Sequence, residues 1–381
     1  MPTTCEIEFE NNPLKVVYAG QLLRVALRLN LTKQKKVRGV YFQLYGSACA
    51  SWTEYEWFGG LHSNRWKIYN GNEEYLNKVS YFVGPVVGDV SRKAARILRK
   101  STRKFKLAPG AYKYNFECTL PPDLATSIEA KHGHIRYFAR FVVDIIYPCR
   151  KIYEVPFFVI RPFDLNLNPI LRSPIIAEST EKYPMKIVVR TPVRAFAPGQ
   201  MINVEIYVNN QSKQSIAELS IELIRGITYC QSKNSNIRKL ERISIVRTKT
   251  QGCEKYQDRT FLVDIPVPPI PPTDFSTSNI VKVRYCMRIV GFIDSMLCHH
   301  EDPTLEFPIT IGTYPIRDDM KINNNDLYSK WDDELEINDQ PTYEETLEAY
   351  GATDDNFRPK YPMFKHATSY SYRNTIESTI L

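Results

Sequence analysis

Apolar and polar residues alternate with a period of two along most of the chain, and one unit of this pattern occurs twice. In the later copy, an alternating run at 202–208 follows the turn Pro198-Gly199. A polar stretch then leads to a second alternating run that ends at Gly226. Period-two alternation is typical of a β-strand with one buried and one exposed face. Each copy is therefore predicted to contain two strands joined by a polar loop.

The earlier copy starts at Tyr18-Ala19-Gly20-Gln21 and ends at Gly46. Its two glycines, Gly20 and Gly46, are 26 positions apart, and Gly199 and Gly226 are 27 apart. Downstream of each copy, clustered prolines precede a strand pattern that contains an Arg-Tyr dipeptide, at 121–137 in the first half and at 268–285 in the second. Two long units in the same order predict a duplicated all-β domain.

The alternation stops after Gly312. Residues 313–381 hold 7 Lys+Arg and 14 Asp+Glu and few clustered apolar residues, which predicts a largely disordered, acidic tail with short embedded motifs. The proline-rich stretch 162–184 is predicted to be a linker. The predicted division is an N-terminal domain at 5–161, this linker, a C-terminal domain at 185–312 and the tail at 313–381.

The first half carries an insertion, because 91 positions separate Gly46 from Tyr137 but only 59 separate Gly226 from Tyr285. Part of it lies at 86–106, where either a short helix capped by Asp89 or Ser91 or a solvated basic loop fits the pattern. Its basic side chains are candidates for contact with an anionic membrane surface or with the acidic tail. They are Arg92, Lys93, Arg96, Arg99, Lys100, Arg103 and Lys104.

Charge and motif content narrow the classes of function. Residues 1–161 hold 25 Lys+Arg and 13 Asp+Glu, which favours an anionic partner for this half. Phosphate-binding loops, dinucleotide fingerprints, zinc-protease motifs and nucleophile elbows are all missing from the sequence. Cys298-His299-His300 is too compact to close a metal site alone, and no nucleic-acid-binding motif accompanies the basic residues. We therefore expect no enzyme, no cofactor, no metal and no nucleic acid, and no apolar run long enough to span a membrane is present.

Seven short stretches carry a family resemblance. They are Tyr18-Ala19-Gly20-Gln21, Val37-Arg38-Gly39-Val40 through Gly46, Leu107-Ala108-Pro109-Gly110 with Tyr114 and Phe116, Leu120-Pro121-Pro122 through Ile135-Arg136-Tyr137, Phe163-Asp164-Leu165-Asn166, Ala197-Pro198-Gly199-Gln200 and Ile309-Thr310-Ile311-Gly312-Thr313. Taken in order over about residues 5–313, they resemble the arrestins, and the alpha-arrestins (arrestin domain-containing proteins) more than the visual and beta-arrestins.

The resemblance implies a fold and a role. It implies two immunoglobulin-like β-sandwich domains in tandem and a non-catalytic cytoplasmic adaptor, peripherally associated with the plasma membrane and endosomes. Alpha-arrestins bind membrane receptor or transporter cargo with the two domains. They recruit WW-domain HECT ubiquitin ligases through PPxY motifs in the tail, which promotes ubiquitination, endocytosis and sorting of the cargo.

The tail of this chain departs from the PPxY pattern. Its nearest matches are Pro341 with Tyr343 and Pro359 with Tyr361, each of which lacks the first proline. A WW domain grips a polyproline II segment through stacked prolines and a separate tyrosine pocket, so one of its contacts is lost. An alternative within the fold is therefore a ligase-independent scaffold for endosomal cargo sorting. An enzyme is the alternative from a different class.

Overall fold

The protein is described by a computed structural model that covers most of both halves and two short parts of the tail. The described residues are 4–56, 65–98, 103–146, 150–179, 184–233, 236–274, 277–294, 302–316, 341–345 and 357–364.

The first lobe comprises β1 to β11 and one helix. The elements are β1 (Thr4–Phe9), β2 (Val16–Tyr18), β3 (Leu22–Leu31), β4 (Lys35–Glu56), β5 (Arg65–Val83), β6 (Gly88–Val90), α1 (Arg92–Leu98), β7 (Phe105–Leu107), β8 (Gly110–Thr119), β9 (Ile128–Ala130), β10 (Gly133–Ile145) and β11 (Lys151–Ile160). One sheet has the order β1-β3-β8. The larger sheet has the order β2-β11-β10-β4-β5-β6, with β7 beside β4 and β9 beside β10.

The second lobe comprises β12 to β20. The strands are β12 (Ile175–Glu178), β13 (Met185–Thr191), β14 (Ala195–Phe196), β15 (Met201–Asn210), β16 (Ile216–Cys230), β17 (Arg238–Cys253), β18 (Gln257–Pro266), β19 (Val281–Ile293) and β20 (Thr304–Ile311). Its sheets have the orders β12-β13-β15-β18 and β14-β20-β19-β16-β17. Two 3-10 helices, Leu165–Leu167 and Pro169–Arg172, lie between the lobes in sequence.

Each lobe is a β-sandwich whose inward-facing side chains form the core. In the first lobe, Phe42 of β4 meets Phe116 of β8 across the two sheets, with ring centroids 4.7 Å apart. In the second lobe, β15 alternates between buried and partly exposed positions, so that Ile202, Val204 and Ile206 point inward. The predicted fold class of two sandwiches in tandem is confirmed, while the residue boundaries of the domains stay a prediction.

We call the clustered prolines that precede each Arg-Tyr strand, at 121–122 and 268–272, the proline corners. The two proline corners close their lobes with the same hydrogen bonds. The Tyr137 hydroxyl donates to the carbonyl of Ala125, and the Tyr285 hydroxyl donates to the carbonyl of Pro271, each at 2.7 Å. Next to each corner, a hydroxyl residue exchanges two bonds with the last strand of its lobe, Ser127 with β11 and Thr273 with β20. Buried polar groups need such partners, so the Arg-Tyr strand and the prolines of each copy form one structural unit.

The turns that open the two copies also match. Gln21 accepts a hydrogen bond from the backbone of Tyr18, and Gln200 accepts one from the backbone of Ala197. The strand before each turn pairs in parallel with the last strand of its lobe, β2 with β11 and β14 with β20. The duplication therefore extends from the turn to the closing strand.

The basic insertion contains the short helix α1. Ser91 caps it, because its hydroxyl accepts a hydrogen bond from the backbone of Ala94 at 3.2 Å. Ala95 is buried against Tyr41, Val79 and Tyr81 on the outer face of the larger sheet. Ile97, two positions further along the helix, is 64% exposed.

Candidate functional site

Two parts of the tail form a hairpin that packs on the two lobes. Strand β21 (Thr342–Glu345) pairs antiparallel with β22 (Lys360–Met363), and Tyr343 lies opposite Pro362. We call residues 341–345 and 357–364 the tail hairpin. Its residues Phe357, Tyr361 and Phe364 are 1%, 2% and 3% exposed, so the hairpin is anchored by buried aromatic side chains.

Phe357 anchors the tail hairpin on the outer face of the larger sheet. Its ring lies 5.2 Å from that of Phe158 and 5.9 Å from that of Phe138, measured between centroids. The guanidinium of Arg136 lies 5.5 Å from the centroid of Phe357 while pairing with Glu129. Val16 and Ile160 complete an apolar cluster that is separate from the main core. A side chain of the tail thus covers part of a sheet face that would otherwise be exposed to solvent.

Tyr361 lies next to the proline corner of the first lobe. Its hydroxyl donates to the carbonyl of Ser127 at 3.0 Å. Burial raises the pKa of Tyr361 far above its usual range, and the nearby charge of Arg225 in the second lobe offsets a part of that rise. The hydroxyl is therefore neutral at physiological pH and remains a donor, as its bond to a carbonyl requires.

Tyr343 joins a group of tyrosines at the opening turn of the first lobe. Its hydroxyl lies 3.0 Å from that of Tyr18, and the ring of Tyr18 stacks on Tyr314, with centroids 6.2 Å apart. Burial, and then the neighbouring hydroxyls of Tyr343 and Tyr314, raise the pKa of Tyr18. The Tyr18 hydroxyl is therefore neutral where it meets the hydroxyl of Tyr343.

Phe364 connects the tail hairpin to the second lobe. Its backbone N–H donates to the carbonyl of Pro198 at 3.0 Å, and its ring lies 6.3 Å from that of Tyr314. A Cβ atom on Gly199 would lie 2.0 Å from the carbonyl oxygen of Phe364, so only glycine permits this approach. Gly199 also has a φ of 95°, which favours glycine. The turn that opens the second copy is thus the tail's second anchor.

The predicted WW-binding residues all belong to the tail hairpin. Pro359 and Tyr361 are buried, whereas Pro341 and Tyr343 are half-buried. Their role as ligase contacts stays a prediction.

The predicted basic residues lie elsewhere, on and beside α1. Lys93, Arg96, Arg103 and Lys104 are exposed, and the exposed Arg92 pairs with Glu74 at 2.9 Å. Arg99 and Lys100 lie outside the described residues, as does Cys298-His299-His300. Contact of these basic residues with a membrane or with the tail also stays a prediction.

The sequence pattern did not identify the surface of the two lobes on which the tail hairpin packs. A signal is present: Tyr137, Ala139 and Phe141 alternate inward along β10, so Phe138 is an apolar side chain at an outward position. In the tail, the aromatics at 357, 361 and 364 form the complementary signal. Neither pattern indicates that these two segments are in contact, because the pairing of distant segments depends on tertiary geometry.

A cavity of about 150 Å³ lies between the lobes. Arg161 and Thr126 line it from the first lobe and Asp274 and Thr273 from the second. The Asp274 carboxylate accepts hydrogen bonds from the backbone of Thr277 and Ser278, as in a structural turn. The cavity could hold a small group of water molecules. The carboxylate of Asp274 already accepts hydrogen bonds from the backbone, which is a structural role.

The described part of the chain carries no sign of a metal site or of a membrane-spanning helix. No three His, Cys, Asp or Glu side chains there are grouped in a way that would hold a metal ion. Within the same residues, no helix has the length and apolar character needed to cross a bilayer.

Comparison with known families identifies both halves of the chain. Residues 5–166 match the N-terminal domain of arrestin (or S-antigen), and residues 181–316 match the C-terminal domain of arrestin (or S-antigen). The two matches are adjacent and in the family's order, and together they include both lobes.

Several curated proteins are similar to this chain. Arrestin domain-containing protein 17 of Caenorhabditis elegans is 22% identical over 80% of this chain and 69% of its own length. Arrestin domain-containing protein 1 of Rattus norvegicus is 22% identical over 56% of this chain and 49% of its own length. A Schizosaccharomyces pombe protein named as an arrestin-related trafficking adapter is 30% identical over 32% of this chain and 20% of its own length. The chain thus spans about half the length of the rat protein and less of the yeast protein.

Proposed function

Because this chain belongs to the arrestin family and is of the alpha-arrestin type, we propose that it is a non-catalytic adaptor that binds membrane-protein cargo. It acts at the cytoplasmic faces of the plasma membrane and endosomes. It brings a WW-domain HECT ubiquitin ligase to receptor or transporter cargo and so promotes ubiquitination, endocytosis and sorting of that cargo.

The observation that carries this proposal is the pair of proline-x-tyrosine motifs on a tandem arrestin body. Pro341 with Tyr343 and Pro359 with Tyr361 offer a WW domain the tyrosine and one proline each. Two weak motifs in one chain reach useful affinity for an array of WW domains, because the second contact forms at high effective concentration.

A synthetic peptide of residues 339–364 tests the ligase contact. We expect it to bind a tandem WW array from a HECT ligase with a micromolar dissociation constant, typical of short motifs. Changing Tyr343→Ala and Tyr361→Ala should weaken binding at least about tenfold, because aromatic anchors carry a large share of such interfaces. Isothermal calorimetry measures both values. Equal binding by the parent peptide and the double variant would rule out the tyrosine-dependent contact.

The burial of Pro359 and Tyr361 supports a second candidate, a ligase-independent scaffold for endosomal cargo sorting. In that function the tail hairpin is a permanent part of the body and never meets a WW domain. A peptide that fails to bind the array would favour this scaffold over the ligase adaptor.

An anionic membrane surface is the proposed second partner, through the basic residues around α1. The triple variant Lys93→Glu, Arg96→Glu and Lys104→Glu should weaken binding to phosphatidylserine liposomes about 100-fold at low salt, since each basic residue near such a surface contributes about 1 kcal/mol, or about fivefold in affinity. Liposome co-sedimentation measures this. Added salt should reduce the difference in liposome binding between wild type and the triple variant, because exposed charges are screened.

A matched control separates a local contact from net charge. Lys213→Glu, Lys233→Glu and Lys255→Glu change the same total charge on exposed positions of the second lobe. An equal loss of liposome binding in both triple variants would contradict a membrane site at α1.

A further inference from the structure

The tail hairpin holds its second proline-x-tyrosine motif in a form that a WW domain cannot engage. A WW domain needs the motif as a polyproline II segment, whose backbone is solvated and whose proline and tyrosine are free to enter its groove. Here residues Lys360–Met363 are a strand paired with Thr342–Glu345. Pro359 and Tyr361 are buried, and the Tyr361 hydroxyl already donates to Ser127.

The first motif is engaged by the body as well. Tyr343 is half-buried, and its hydroxyl lies 3.0 Å from that of Tyr18. Its strand is the partner of the strand that carries Tyr361, so neither motif can leave without disrupting the pairing of the other. The two motifs are therefore released together.

Contacts to both lobes hold the tail hairpin in place. Phe357 and Tyr361 contact the first lobe, while the backbone of Phe364 donates to Pro198 in the second. The contact at Gly199 leaves no room for a methyl group. Contacts this close fix the tail hairpin in one position on the two lobes.

We infer that the body of this protein and the WW array compete for the same tail residues, so that ligase recruitment requires the tail hairpin to leave its contacts with the two lobes. The inference rests on the proposed ligase contact. It adds that the full chain is a weaker WW ligand than its own tail. The apparent dissociation constant equals the intrinsic constant divided by the fraction of molecules whose motif is undocked.

Two variants release the tail without changing either motif. Gly199→Ala places a methyl group against the backbone of Phe364, and Phe357→Ser removes the apolar anchor from the tail side. Gly20→Ala is the matched control for turn strain. Gly20 has a φ of 89° at the equivalent turn, but a Cβ there meets only Pro122, at 3.6 Å.

Calorimetry with the WW array compares the full chain, these variants and the 339–364 peptide. If one molecule in ten or fewer is undocked, the wild-type chain binds at least about tenfold more weakly than the peptide. Gly199→Ala and Phe357→Ser should each recover most of the peptide's affinity, and Gly20→Ala should bind like wild type. Hydrogen exchange should show faster exchange at amides 357–364 in the two releasing variants, with the cores of both lobes still protected.

Three outcomes would overturn the inference. Wild-type chain and peptide binding with equal affinity would show that docking does not compete, while leaving the proposed ligase contact intact. Equal gains from Gly20→Ala and Gly199→Ala would attribute the effect to turn strain. A peptide that binds no better than its double-Ala form would remove the proposed ligase contact and this inference together.

Discussion

Gly46→Ala is expected to lower the free energy of unfolding by about 3 kcal/mol, at the upper end of the range for overpacked cores. A Cβ at this position would lie 2.2 Å and 2.4 Å from two ring carbons of Tyr137. The ring cannot retreat, because its hydroxyl is bonded to the carbonyl of Ala125 and its ring packs 5.7 Å from that of Phe157. The backbone or the proline corner must therefore shift. Urea denaturation of the full chain, followed by intrinsic fluorescence, measures the loss.

Gly226→Ala is the matched control for that variant. The same substitution at the end of the second copy meets nothing closer than 3.8 Å, and neither glycine has a left-handed φ. We expect a change of no more than about 1 kcal/mol, in the stabilising direction, since alanine restricts the unfolded chain. A Gly46→Ala protein as stable as wild type would show that Tyr137 is not fixed as described. An equal loss of unfolding free energy in both variants would show that any side chain at these strand positions is destabilising, whatever its contact with Tyr137.

The different surroundings of the two glycines arise from a register that the sequence pattern did not reveal. Gly46 lies opposite Tyr137 in the β4–β10 pair, but Arg225 lies opposite Tyr285 in the β16–β19 pair. The structural equivalent of Gly46 is therefore Arg225, not Gly226, and Gly199 and Arg225 are 26 positions apart, as Gly20 and Gly46 are. Strand pairing decides this, and pairing cannot be deduced from alternation within one strand.

Much of the fold follows from local patterns. Alternation over 202–208 and the Pro198-Gly199 turn predicted strand β15 and its opening turn, because period two and turn residues are properties of a single segment. The proline corner with its Arg-Tyr strand predicted the duplication. The sequence allows both a helix and a loop at Arg92–Leu98, since seven residues are too few to show a clear helical period.

The candidate site was predictable only in part. Composition placed Tyr343 and Tyr361 in a tail of low apolar density, and the family resemblance gave them a role. Their docking depends on Phe138 and Phe158, which lie more than 180 residues before the tail hairpin. The close approach at Gly199 is equally invisible in sequence, because a turn alone already explains a glycine there.

The largest functional effect is expected from changes that release the tail or remove its tyrosines. Gly199→Ala leaves both motifs intact but frees them, so cargo should be removed from the cell surface more strongly than by wild type. Tyr343→Ala with Tyr361→Ala also disrupts docking but leaves nothing for a WW domain to bind. That double variant should be inactive, which separates release of the tail from recruitment of the ligase.

Quantitative surface proteomics after expression of wild type, Gly199→Ala and the double-Ala variant tests the adaptor function most directly. The expected result is a defined group of membrane proteins whose surface abundance falls with wild type, falls further with Gly199→Ala and is unchanged with the double-Ala variant. Sensitivity of that loss to a ubiquitin-activation inhibitor would assign it to the ligase. Identical surface proteomes for all three proteins at equal expression would contradict the proposal that this chain couples membrane cargo to a WW-domain ubiquitin ligase.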